Sequence, residues 1–128
     1  MVTRLENRED KIIRHSDGDY GRELSIDIHG VSSMKYGLVP LLVDDLCGLL
    51  DVERGSSMSV GGQMHSSFHQ VITSDNVNGS ITMHFAPELK QLHVNIFSVK
   101  WFNDDLAIEM ITDRFGGRCI QSRLNRRP

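Results

Sequence analysis

The segment FHQVITSDNVNGSITMHFA, residues 68–86, reads as a β-hairpin. Residues 68–74 form the first strand, and 80–86, SITMHFA, return. Asn78-Gly79 is a strong tight-turn signal between two such runs. Pro87 marks the end of the return strand. Upstream, RELSIDIHG at 22–30 alternates Leu24, Ile26 and Ile28 with Ser25, Asp27 and His29. Period two means one buried and one polar face, hence a strand. Downstream, QLHVNIFSV at 91–99 alternates again through Leu92, Val94 and Ile96.

The period changes between 34 and 52. Leu38, Leu41, Leu42, Leu46, Leu49 and Leu50 recur at spacings of three and four. That spacing predicts an amphipathic helix with a leucine stripe. Pro40 sits where a first-turn proline is tolerated. Gly55 helps to end the helix, and the Gly- and Ser-rich run 55–67 reads as a loop with at most a short strand. A second helix is predicted over 103–115, with Asn103 as N-cap and acids in its first turn. Its stripe is Leu106, Ile108, Met110 and Ile111, and Gly116-Gly117 stops it.

Strands with two helices predict an α+β fold: an antiparallel β-sheet with two helices packed on one face. The other sheet face stays wet or is covered by a partner chain. Residues 1–20 read as an N-terminal arm, 21–117 as the domain, and 118–128 as a basic C-terminal tail with room for a short strand. The tail's four arginines read as a solvated end.

The 128 residues suit one domain. Fourteen Lys+Arg against 17 Asp+Glu give a net charge of −3, which speaks against a general nucleic-acid binder. No apolar run approaches the roughly 20 residues of a membrane helix. The charged start MVTRLENREDKIIRH lacks an apolar signal core, so a cytoplasmic protein is expected. Two cysteines, Cys47 and Cys119, make no disulfide framework.

Six histidines raise the question of a metal. His65 and His69 are four apart, and His84 and His93 lie on predicted strands, but the spacings carry no metal signature. No metal is expected. Gly61-Gly62 lacks the lysine and strand–helix setting of a phosphate loop. Asp44-Asp45 reads as a solvated face, and Cys47 as a packing residue. The hairpin region is rich in hydroxyls: Ser66, Ser67, Thr73, Ser74, Ser80 and Thr82. A serine beside a strained turn can attack its preceding carbonyl; the N→O acyl shift and elimination then leave a pyruvoyl group. That carbonyl is an electron sink for amino-acid decarboxylation.

The series GRELSIDIHGV (21–31), TS (73–74), ITMHFAPE (81–88) and HVNIFSVKWFN (93–103) resembles the prokaryotic S-adenosylmethionine decarboxylases, and more closely their decarboxylase-related branch. It covers about 21–117. The resemblance implies a decarboxylase-like two-layer sandwich, a cytoplasmic homodimer, and S-adenosylmethionine or a related amino acid as ligand. It implies no nucleic-acid or membrane partner. As an enzyme, the protein would be a self-processing pyruvoyl-dependent lyase feeding spermidine and other polyamine synthesis. Ser74 then matches the pyruvoyl serine, Ser66, eight positions earlier, the processing serine, and His84 the processing histidine.

Departures accompany these matches. Thr73 precedes Ser74 where the family has glutamate, and Asp75 follows it where the family has histidine. Val99 stands where the family has its proton-donor cysteine, so His69 or water would have to protonate the product. The Ser74 register also needs a turn about five residues longer. A register without that insertion puts Gly79 at the nucleophile position and leaves no processing. The alternative function is therefore an uncleaved, inactive homologue acting as a ligand-binding or regulatory partner. A plain α+β interaction module is the third reading, since fold alone does not fix function.

Overall fold

The computed structural model describes residues 20–32, 35–61, 66–74 and 77–127. Residues 1–19 of the expected arm, with Gly62, His65 and Asp75, lie outside the described residues. Among the described residues six strands form one antiparallel sheet: β1 (Gly21–His29), β2 (Glu53–Gly61), β3 (Ser66–Ser74), β4 (Val77–Ala86), β5 (Gln91–Ser98) and β6 (Arg118–Arg127). Their order is β2-β3-β4-β5-β1-β6. Two helices accompany them, α1 (Val39–Leu50) and α2 (Asp104–Phe115). The α+β architecture expected from the sequence is present.

Alternation sets the two faces. Leu24, Ile26, Ile28, Ile81, Met83, Phe85, Leu92, Val94 and Ile96 are buried with the helices in one core. Their sequence neighbours point to the other, polar face. The helices reach that core through most of the stripes the sequence suggested, with Leu38 just before α1, Leu42, Leu46, Leu49 and Leu50 of α1 and Ile108, Met110 and Ile111 of α2 buried in it or packed against it. In α1 the buried residues are Val39, Leu42, Val43, Leu46, Cys47 and Leu50, and Leu41 is exposed. In α2 they are Ala107, Ile111 and Phe115, with Leu106 exposed. Valine, alanine and cysteine widen the leucine stripe, filling the same face at i, i+4 spacing.

Asn103 caps α2 as expected, its Oδ1 accepting from the Leu106 amide at 3.1 Å. Asp51, in the left-handed conformation, ends α1; Gly55 lies within β2. The Asp44-Asp45 pair is more than a wet surface. Asp45 accepts from Arg114 at 2.7 and 3.0 Å and ties α1 to α2. Asp44 lies 3.5 Å from Arg54 on β2.

Three expectations for the sheet need correction. Asn78-Gly79 is no turn: Asn78 pairs with Thr73 and Gly79 with Ile72 inside β4, and the pairing runs on to Ser74 and Val77. The described residues of the run 55–67 are strand, in β2 up to Gly61 and in β3 from Ser66. β2 is exposed along its whole length because it is an edge strand. A register shift between Arg54 and Ser57 frees two carbonyls there. The buried Gln70 amide donates to both, Gly55 O at 2.9 Å and Ser56 O at 3.3 Å. Third, the basic tail is β6, the opposite edge strand, paired with β1 from Gly21–Arg127 to His29–Arg118. Leu124 and Cys119 from it pack against the core. Alternation in this segment is masked by its arginines, so its charge suggested a solvated end.

Candidate functional site

A cleft opens where the start of α1 meets the ends of β2, β3 and β4. Its volume is about 230 Å³, and its walls include Tyr36, Val39, Pro40, Phe68 and Phe85, with Ser59, Ser66 and Ser67 as polar groups. The aromatic side has fixed geometry: Tyr36 meets Phe85 edge-on with centroids 5.0 Å apart, and Phe85 meets Phe115 at 5.4 Å. Edge-to-face packing of this kind orients rings and leaves a flat apolar surface. Pro40, in the first turn of α1, holds one wall, and Arg54 Nη2 donates to its carbonyl at 3.2 Å.

Ser66 is therefore at a pocket. Ser74 is not beside it. Both lie on β3, eight positions apart, so they share a face but stand about 26 Å apart along the strand. His84 is near the Ser66 end but on the opposite face. It pairs across the ladder with Ser67, whose hydroxyl shares a 3.0 Å hydrogen bond with His84 Nδ1. The structure thus brings His84 to Ser67, not to Ser66 or Ser74. Val99 follows β5 at the Ser74 end of the sheet. The three residues matched to processing occupy three separate places, and a short proton-transfer chain between them would need hydrogen-bond reach.

Gly79, the nucleophile position of the other register, sits under β5. A Cβ there would collide with the Phe97 carbonyl oxygen and press on Ile72. No serine fits this backbone as it stands.

The polar sheet face carries rows of paired side chains. His69 Nδ1 and the Thr82 hydroxyl share a 2.8 Å bond. His93 Nδ1 donates to Asp27 Oδ1 at 2.7 Å, and its Nε2 lies 3.1 Å from the Gln91 side-chain amide. Asn95 Nδ2 donates to Glu23 Oε2 and Ser25 Oγ, each at 3.1 Å. His69 is engaged with Thr82 on the face away from Ser74. Among the described residues no group of three or more His, Cys, Asp or Glu is placed to hold a metal ion. Cys47 is buried in α1, and desolvation pushes its thiol pKa up. A raised pKa keeps the thiol protonated and unreactive. Cys119 Sγ donates to Gln121 O at 3.5 Å.

Sequence reasoning missed the cleft. Its aromatic wall comes from positions 36, 68 and 85, on three elements, and no local pattern joins them. Among the described residues no helix is long and apolar enough to cross a membrane. No protein-family model matches the chain, and no curated protein matches it in sequence.

Proposed function

We propose that this protein is an uncleaved ligand-binding or regulatory protein on an S-adenosylmethionine decarboxylase-like two-layer sandwich, with the cleft at Tyr36, Phe68 and Phe85 as its ligand site. One observation carries this reading: Ser74 lies a full strand away from Ser66, and His84 faces the other side of the sheet. Self-processing needs the nucleophile, its carbonyl and a proton carrier within hydrogen-bond reach of one another. Val99 in place of a cysteine points the same way.

The cleft suits a small molecule with a flat apolar ring, which would lie against Phe68 and Phe85. Its volume of about 230 Å³ corresponds to about eight water volumes. Ser59 and Ser66 would meet polar atoms at the ring edge. S-adenosylmethionine and related amino acids with a ring are the first probes. The exposed Met58 and Val60 on edge strand β2 offer a surface for pairing two copies. The reading keeps the protein in the cytoplasm, in accord with two free cysteines.

The test is an intact mass under denaturing conditions, followed by calorimetry with S-adenosylmethionine and with adenine. A single full-length mass together with ring-ligand binding that Phe68→Ala abolishes is the expected outcome. Two fragments meeting at 73/74 would overturn the reading and establish a pyruvoyl enzyme.

A further inference from the structure

The polar sheet face holds a second hollow, at the far edge from β2. It lies over β1 and β6, has a volume of about 210 Å³, and is lined by Ser25, Asp27, Gln121, Arg123 and Asn125. Strand pairing sets its layout. Arg123 stands opposite Ser25, and Gln121 opposite Asp27. Arg123 and Asp27 therefore sit on a diagonal, about 7–8 Å apart at the backbone. They are opposite charges that do not close on each other: among the described residues Arg123 makes no hydrogen bond or ion pair.

The walls are held from behind. His93 donates to Asp27 Oδ1, and no hydrogen bond among the described residues uses Oδ2. Asn95 donates to the Ser25 hydroxyl oxygen. Arg127 is occupied by Glu23. A bulge between Asp27 and Ile28 leaves Ile120 unpaired and turns β6 beside the hollow. Bulges of this kind re-aim side chains and recur near binding sites.

We propose that this hollow binds the zwitterionic head of an α-amino acid, its carboxylate on Arg123 and its ammonium on Asp27. A carboxylate matches the guanidinium fork with two parallel charge-assisted bonds. The ammonium stands one carbon from that carboxylate, so a single ligand meets both charges across a gap the side chains leave open. A plain anion would leave Asp27 unmatched, and a plain amine would leave Arg123 unmatched. Gln121 and Asn125 supply amide groups on the flanks. The hollow equals about seven water volumes, enough for a small side chain. Nothing in this site depends on the cleft near Ser66.

The experiment is an NMR titration of the full chain with L-alanine, with lactate and L-alaninamide as controls. The expected result is saturable shifts confined to the backbone amides of 25, 27, 121, 123 and 125. Each control, lacking one charge, binds at least about tenfold more weakly, as loss of a charge-assisted bond implies. Arg123→Gln and Asp27→Asn each weaken L-alanine by about tenfold or more, for the same reason. Circular dichroism checks that both variants keep the fold. Lactate binding as tightly as L-alanine would reduce the hollow to an anion site and overturn the assignment. So would an absence of saturable shifts, or unchanged affinity in Arg123→Gln. A change in sedimentation without a change in ligand binding would make the hollow a contact between copies, and overturn it too.

Discussion

Gly79 lies directly against the backbone of Phe97, and a Cβ at position 79 would overlap the Phe97 carbonyl oxygen. β4 and β5 approach this closely because glycine leaves the space empty. Gly79→Ser therefore forces the two strands apart or displaces Ile72. Overpacking of this sort costs typically 1–3 kcal/mol. Thermal unfolding of Gly79→Ser should show a clearly lowered midpoint, and its intact mass should remain that of one chain. An unshifted midpoint would mean that the strands have more room than this packing allows.

Ser74 and Ser66 separate the two functional readings by mutation. Ser74→Ala should leave the chain length, the fold and cleft binding unchanged, since it lies about 26 Å from the cleft end of β3. Ser66→Ala should keep the fold and weaken a ring ligand by the worth of one hydrogen bond, about 1 kcal/mol or fivefold. Calorimetry on the two variants side by side reads this contrast. Equal effects on binding would sink the cleft assignment.

The two cysteines should differ in chemistry. Cys47 is 8% exposed and desolvation raises its thiol pKa, whereas Cys119 is half-buried on edge strand β6. A thiol-specific reagent at neutral pH should label Cys119 first, and Cys47 only as the protein opens. The sign of the linkage follows. The folded thiol holds its proton more tightly than the unfolded one. Its stabilising contribution is complete below the ordinary thiol pKa and is lost as pH rises through the raised folded value. Denaturant midpoints taken from neutral to alkaline pH should fall less in Cys47→Ala than in the parent. A parallel fall would remove Cys47 as a source.

Two contacts hold the helix layer in different ways. Asn103→Ala removes the α2 cap and should cost about 1 kcal/mol. Arg114→Met breaks the partly exposed bridge to Asp45 and should cost about 0.2–1 kcal/mol. Salt distinguishes them. The Arg114 effect should shrink at high ionic strength, and the Asn103 effect should persist. Urea titrations at low and high salt measure both; a salt-independent Arg114→Met effect would point to lost packing of its aliphatic stem.

Much of this protein is determined by its sequence alone. Period-two alternation in 22–30 and 91–99 requires half-buried strands, because successive side chains point to opposite faces. Asn103 and the acids after it define a helix start by local hydrogen bonding and charge. The α+β class follows from those local rules. Tertiary structure alone decided the rest. Asn78-Gly79 looks like a turn locally, yet the approach of β5 claims Gly79 for a strand interior. Arg118–Arg127 looks like a solvated tail, yet β1 has an unpaired edge for it to satisfy. Ser66, Ser74 and His84 look like one site when spacing is counted along the chain. In space, strand rise separates the two serines and the pleat turns His84 away. Which side chains meet across a sheet depends on register and face, and neither is written in the local pattern of one strand.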